Sequence, residues 1–184
     1  IRDSTAGTFQ LDSGSKIVSA ARGKDYIFIV TDTSAYIMQF VGPPFTFSIR
    51  QVGSNCGAMS QHSLVHVDGI MYWMGKSGGF YAYDGGSVKK LTCSVEDFVF
   101  TTQTSDDLGF NFGQSEQVFA GYNTLFTEIN WFYCKDGSTQ IDRCVTLNYR
   151  EGLWTTSSLA RTAYSDKYVL DLSLIHISEP TRRN

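Results

Sequence analysis

Short apolar runs with a period of two residues recur along this chain, and this pattern restricts its fold more than any other feature. Two such runs are Asp25–Thr31 and Ala35–Val41, and the polar residues Asp32–Ser34 lie between them. Residues two apart share one face of a β-strand, whereas a helix places residues three or four apart on one face. The runs therefore predict two strands joined by a tight turn, because Asp and Ser side chains bond readily to turn backbone.

Glycine and proline mark where the predicted strands end. Gly42 and Pro43 follow the second run, and proline has no N–H group to donate to a β-ladder. The alternating segment Phe45–Arg50 then predicts a strand at a sheet edge. Further along, the pair Asp68-Gly69 separates two apolar runs and predicts a β-hairpin, because both residues tolerate the positive φ of a tight hairpin turn.

This layout of three or four short strands returns as a weak internal repeat. A period of about 40–50 residues is typical of β-propeller blades, which bury their faces against one another. The sequence thus predicts an all-β chain that forms a partial β-propeller of about three four-stranded antiparallel blades. A β-sandwich is the alternative. The predicted blade-like units are residues 16–52, 63–93 and 116–157, with an incomplete unit at 161–170.

Eight residues are expected to define the corners and the packing of these units. Glycine permits sharp corners, proline ends a ladder, and large rings fill the space between sheets. The eight residues are Gly42, Pro43, Trp73, Gly75, Tyr83, Gly85, Trp131 and Trp154.

One segment departs from the strand pattern. Ser94 lies three residues before Asp97, the spacing of a capping box with Asp in place of Glu or Gln. This predicts one short helix near Ser94–Phe100, with a further strand as the alternative. The polar segment Ser105–Ser115 predicts a long loop between blades.

Composition and charge exclude several classes of protein. Of 184 residues, 42% are hydrophobic, 14% aromatic and 18% charged, unlike a disordered chain, a coiled coil or collagen. No apolar run approaches the ~18 residues of a membrane-spanning helix. The formal net charge of −3 predicts no broad basic face for DNA.

Both ends of the sequence predict that it is a piece of a longer protein. The first residue is Ile1, and no signal peptide pattern follows it. The last stretch, Leu172–Asn184, resembles the conceptual translation of a sequencing adapter, so we interpret it as a non-native tail. We therefore expect residues 1–171 to be a fragment of one propeller-like domain that continues beyond both ends.

Motifs that suggest ligand chemistry are weak. Gly75-Lys76-Ser77 follows Gly69 by a strand-like stretch of the wrong length for a P-loop, so it predicts a turn. His62 and His66 are four residues apart, but no further residue completes a recognised zinc spacing. We interpret both histidines as surface residues of a hairpin.

The cysteines and the carboxylate pairs have simple structural interpretations. Cys134 and Cys144 could face each other across a hairpin and form a disulfide, but reduced, buried thiols are the default for all four cysteines. Glu96-Asp97 predicts the first turn of a helix, and Asp106-Asp107 predicts a solvated loop. Neither pair by itself meets the geometry of a glycoside hydrolase, whose two carboxyl groups face each other across a cleft.

Aromatic residues are the remaining candidates for a binding role. Asn148–Thr155 resembles the aspartate-box turn of sialidase-like propellers but departs from it at the first position and in the spacing of Trp154, so it predicts a blade hairpin whose indole packs between sheets. Four rings could stack on bases or sugars. Because no cluster of Lys or Arg residues accompanies them, packing between blades is the simpler explanation. These rings are Trp73, Phe80, Tyr81 and Tyr83. We predict no catalytic, metal-binding or cofactor-binding residue, and we expect that the protein is not an enzyme.

Five sequence segments (phrases), in this order along the chain, resemble segments of a known family. They are Phe40–Phe47, Gly53–Gly57, Val67–Gly75, Gly79–Gly85 and Cys93–Phe100. The series resembles structural proteins in the tails of short-tailed bacteriophages, of the tail nozzle, hub or packaged-DNA stabilisation kind. The resemblance implies a non-enzymatic virion component, assembled in the host cytoplasm, that is present in several copies around a channel and contacts other tail or portal subunits. It carries over no site residues.

We therefore expect a virion structural component that acts in tail assembly, or in retention and passage of the genome. A channel wall formed by a protein with a net negative charge does not bind the phosphate groups of DNA. We therefore expect DNA to pass such a channel without specific binding. Two alternatives stay open, namely a module that binds glycans on the host surface and a propeller glycoside hydrolase.

Overall fold

The computed structural model describes residues 8–14, 16–43, 46–101, 109–161 and 163–164. Within these ranges the chain forms three four-stranded antiparallel sheets, and consecutive strands are neighbours in each sheet. The predicted all-β class is confirmed.

The sheets are named A, B and C in chain order. Sheet A contains β1 (Ile17–Arg22), β2 (Tyr26–Thr31), β3 (Ser34–Phe40) and β4 (Phe47–Ser54). Sheet B contains β5 (Leu64–Val67), β6 (Ile70–Met74), β7 (Phe80–Tyr83) and β8 (Val88–Leu91). Sheet C contains β9 (Phe119–Asn123), β10 (Glu128–Tyr133), β11 (Arg143–Asn148) and β12 (Leu153–Ser158). Strand β4 is the last strand of its sheet, so the predicted edge strand is confirmed.

The short helix predicted near Ser94–Phe100 is confirmed as α1 (Glu96–Phe100), but its predicted cap is wrong. The N-cap residue is Val95, which makes no side-chain capping bond. The amide of Glu96 donates to the carbonyl oxygen of Cys93, so a backbone carbonyl satisfies one amide of the first turn.

The end of the predicted loop Ser105–Ser115 has helical structure. A 3₁₀-helix spans Phe112–Gln117, and the side chain of Asn111 accepts a hydrogen bond from the Gly113 amide at its start. This side-chain bond satisfies one of the free amide groups of the first turn. Residues 105–108 of the segment lie outside the described part of the chain.

Sheet B lies between sheets A and C, and alternate residues of β6 and β7 face opposite ways. One set packs against sheet A, namely Met71, Trp73, Tyr81 and Tyr83. The other set packs against sheet C, namely Tyr72, Met74, Phe80 and Ala82. Both faces of the middle sheet are therefore buried, which explains why its inner strands are apolar at nearly every position.

The first strands of the three sheets lie side by side at one edge of the stack, β1 next to β5 and β5 next to β9. They start at the same end, because Lys16 forms an ion pair with Glu116 at 3.4 Å and His62 forms a parallel bridge with Phe119. The number of stacked four-stranded sheets agrees with the three blades that the sequence predicts. A sandwich of two sheets, the alternative prediction, is excluded by the third sheet.

The three sheets span residues 17–54, 64–91 and 119–158. Most of the predicted incomplete unit at 161–170, and all of the adapter-like Leu172–Asn184, lie outside the described residues. Within the described ranges, neither helix has the length and hydropathy that a membrane-crossing helix needs.

Candidate functional site

Two tryptophans join sheet C to sheet B. Trp131 of β10 donates its indole N–H to the carbonyl oxygen of Ser63 at 3.0 Å, just before β5. Trp154 of β12 donates to the carbonyl oxygen of Thr92 at 3.0 Å, just after β8. Both indoles pack on Phe80, with ring centroids 4.9 and 4.6 Å away. The predicted position of Trp154 between sheets is confirmed.

A third tryptophan joins sheet B to sheet A. Trp73 of β6 donates its indole N–H to the carbonyl oxygen of Cys56 at 2.7 Å. Its ring lies 5.3 Å from that of Phe28 and stacks on Tyr81 at 5.8 Å. Tyr83 stacks on Phe28 at 5.0 Å. These rings are at most 9% exposed, so none offers a free face to a sugar or a base.

The segment between sheets A and B depends on a close approach of two backbones. A Cβ atom placed on Gly57 would lie 2.1 Å from the carbonyl oxygen of Asp32, so only glycine fits there. On either side, the amide of Cys56 donates to Thr33 and the amide of Lys76 donates to Gly57 itself. Gly57 thus occupies the junction of two sheets, a role that the sequence did not single out.

Gly75-Lys76-Ser77 forms the turn between β6 and β7. The amide of Gly75 donates to the carbonyl oxygen of Gly79 at 2.9 Å, and strand β7 follows directly. A phosphate-binding loop leads into a helix instead. The predicted turn is confirmed.

The other corner residues lie at strand ends. Gly42 follows β3 with φ +81°, and the exposed Pro43 comes next. Gly85 lies in the β7–β8 turn with φ +103°, and its carbonyl oxygen accepts a hydrogen bond from the Tyr83 hydroxyl at 3.0 Å. A positive φ favours glycine at both turns.

The polar groups that suggested chemistry lie apart from one another. His62 and His66 are both exposed, as a hairpin surface predicts. Within the described ranges, no group of three or more His, Cys, Asp or Glu side chains is placed to hold a metal ion. Glu96-Asp97 lies in the first turn of α1, as predicted, and Glu96 pairs with Lys90 at 2.6 Å. Asp106-Asp107 lies outside the described residues.

The cysteines are free thiols, and three of the four are buried. Strand register pairs Cys144 with Phe132, so Cys134 is not the residue opposite it. Burial raises the pKa of the Cys56 and Cys144 thiols from 9.0 to about 11. Thiols with raised pKa values stay protonated near neutral pH and are poor nucleophiles.

An apolar groove lies at one end of sheet A, and we call it the sheet A groove. Its volume is about 590 Å³. The lining residues are 20–27, Met38, Phe40 and Phe47. Ile27 pairs with Met38 on the face of the sheet turned away from sheet B, because the neighbouring Phe28 and Ile37 pack against sheet B.

An exposed apolar turn lies on sheet C, between β9 and β10. This turn, residues 124–127, is called the β9–β10 tip. Leu125 is 75% exposed and Phe126 is 60% exposed. Neither surface was predicted from the sequence, although two consecutive large apolar residues between Thr124 and Thr127 are an unusual pattern for a turn and would have indicated the tip.

No protein-family model matches the chain, and no curated protein is significantly similar to it. The relationship to phage tail proteins therefore stays a prediction from the five sequence phrases.

Proposed function

We propose that this protein is a structural component of a bacteriophage tail that acts in tail assembly and in the retention or passage of the genome. The ordered phrases from Phe40 to Phe100 support the phage assignment. The way in which the buried aromatic residues are used supports a scaffold, because the three tryptophan rings and the rings packed on them join one sheet to the next.

The observation that carries the proposal is the contrast between the middle sheet and its neighbour. Both faces of sheet B are covered, whereas the outer face of sheet A exposes Ile27 (39%), Phe40 (66%) and Phe47 (41%). A contiguous exposed apolar patch is typical of protein–protein contact surfaces. A subunit that is held among other tail or portal subunits, and among copies of itself, would cover such a face.

The overall charge agrees with passage of DNA without capture. The formal net charge is −3, and strong DNA binding requires many phosphate contacts from Lys and Arg. A protein of this charge at a channel would let a genome move without holding it.

The proposal is tested by locating the protein in particles. An antibody against the purified chain should label tails in immunogold electron microscopy of virions, and recovered genomes should encode portal or terminase proteins beside it. Absence of the protein from purified particles would contradict the proposal. A glycan array and a turnover assay on polysaccharides test the binding and hydrolase alternatives, and the proposed scaffold should be inactive in both.

A further inference from the structure

The β9–β10 tip lies at an end of the sheet stack and not on its flank. The first strands of the three sheets start at the same end, where Lys16 pairs with Glu116 and His62 forms its bridge with Phe119. The turns that follow these strands therefore share the opposite end, and the β9–β10 tip is one of them. A further blade would stack on the face of sheet A or of sheet C, so blade stacking leaves the ends of the strands open.

The two equivalent turns of sheets A and B are polar. The turn after β1 is Gly23-Lys24-Asp25, and the turn after β5 is Asp68-Gly69. The β9–β10 tip is Thr124-Leu125-Phe126-Thr127, and both of its large apolar side chains are mostly exposed. Two or three polar residues are enough to join the first two strands of a sheet here, so the fold does not require the apolar pair. Adjacent exposed apolar residues of this kind are typical of an interaction site.

The backbone of the tip has hydrogen-bond partners within the protein. The side chain of Asn123 accepts hydrogen bonds from the amides of Leu125 and Phe126 at 3.1 and 3.4 Å. The Thr127 hydroxyl donates to the carbonyl oxygen of Phe126 at 2.6 Å, and the Tyr149 amide donates to that of Thr127 at 3.0 Å. Water satisfies such groups in an ordinary exposed turn, whereas the interior of a bilayer cannot. These internal bonds therefore lower the cost of moving the tip out of water.

The size and shape of the tip favour a bilayer over a protein partner. Each side of a stable protein complex contributes about 800 Å² of surface. The two exposed side chains offer roughly 300 Å² at most, because even a large aromatic residue buries no more than about 250 Å². A convex projection also needs a matching pocket on a protein, whereas a fluid bilayer accommodates it without one.

The charge of the protein indicates which lipids the tip would enter. The tip itself carries no charged residue, and the formal net charge of the chain is −3. Anionic lipids attract basic segments, so they offer no electrostatic gain to this protein. Insertion would depend on burial of the two apolar side chains alone.

We propose that the β9–β10 tip inserts Leu125 and Phe126 into the interfacial region of a lipid bilayer, with no requirement for anionic lipids. The inference deepens the proposed function and rests on it for the expectation that several copies act together. One pair of side chains binds a bilayer weakly and reversibly, and copies held in one particle would add their tips.

Flotation of the full chain with phosphatidylcholine vesicles tests the proposal. We expect the wild-type protein to float with the vesicles, and to float no better when phosphatidylglycerol replaces part of the lipid. The tip variant carries Leu125→Asp and Phe126→Asp. Its partition coefficient should fall about a hundred-fold or more, because both apolar side chains are lost. Phe40→Asp is the matched control and should bind like wild type, since Phe40 is similarly exposed but lines the sheet A groove.

Quenching by brominated phosphatidylcholine locates the inserted side chain. Phe126→Trp places an indole at the tip, whereas the three native indoles are at most 9% exposed. The fluorescence of this variant should be quenched by the brominated lipid, and that of the wild-type protein should not. Near-UV circular dichroism shows that each variant is folded.

Three results would overturn the proposal. They are a wild-type protein that does not float, a folded tip variant that floats as well as wild type, and an introduced indole that the brominated lipid does not quench. A tip that binds a protein partner instead would give the first and the third. The outcome is separate from immunogold labelling, because a protein located in tails can fail to bind lipid and a lipid-binding protein can be absent from tails.

Discussion

The indole N–H of Trp131 donates to the carbonyl oxygen of Ser63 across the boundary between sheets C and B, at 3.0 Å. Both residues are fully buried, so water has no access to replace this bond. Trp154 makes the same type of bond to Thr92, but Thr92 is exposed. The two tryptophans thus provide matched contacts that differ in whether solvent reaches the acceptor residue.

Trp131→Phe should destabilise the protein more than Trp154→Phe. Both changes remove an indole N–H and the same ring volume, but only the first removes a donor from a buried acceptor, at a cost of about 1–3 kcal/mol. Urea unfolding followed by circular dichroism measures the two free energies. Equal losses would show that the buried bond contributes nothing beyond packing.

Gly57→Ala should destabilise the junction of sheets A and B by about 2 kcal/mol or more, because the new methyl group meets the backbone of Asp32. Gly86→Ala is the control, since a Cβ there has only an ordinary contact with the side chain of Asp84 at 3.5 Å. Thermal unfolding compares the two. A Gly57 variant as stable as the Gly86 variant would mean that the two backbones do not approach closely.

Stability should fall as the pH rises above about 9, the ordinary range of a thiol pKa. Burial raises the pKa of Cys56 and Cys144 from 9.0 to about 11, and it raises that of Tyr133 from 10.0 to about 12. The unfolded chain then loses these protons at lower pH than the folded protein does. The stabilisation that these protonated groups give the folded protein is complete below their pKa values in the unfolded chain. It is lost as the pH rises through their pKa values in the folded protein.

Urea unfolding at about pH 8.5 and about pH 10.5 measures this loss. Cys144→Ala removes one of the titrating groups, so its free energy of unfolding should decline less than that of wild type over the same interval. A wild-type free energy that stays constant or rises would contradict burial of these thiols and of the Tyr133 hydroxyl.

Local features of the fold were predictable, because neighbouring residues determine them. The turn at Asp68-Gly69 needs only residues that accept positive φ, and both have it, at +50° and +84°. The alternation in β2 and β3 likewise predicts two strands without knowledge of their partners.

Features that depend on distant residues were not predictable. The Ser94 cap was wrong because the helix begins one residue later than that cap requires, with Val95 as its N-cap and the amide of Glu96 bonded to the carbonyl oxygen of Cys93. Gly57 has no local signal, since its constraint comes from Asp32 in another turn. The sheet A groove exists only where Ile27, Met38 and Phe40 from two strands share one outer face, and a single sequence does not show which face a neighbour covers.

Hydrogen exchange of the three indole N–H groups, followed by nuclear magnetic resonance of the nitrogen-labelled protein, tests the central claim that the aromatic residues hold the sheets together. We expect the Trp73 and Trp131 protons to exchange only through global unfolding, and the Trp154 proton to exchange somewhat faster because its acceptor residue is exposed. Rapid exchange of the Trp73 and Trp131 protons in the folded protein would show that these rings are open to solvent, and the stacked scaffold would then be wrong.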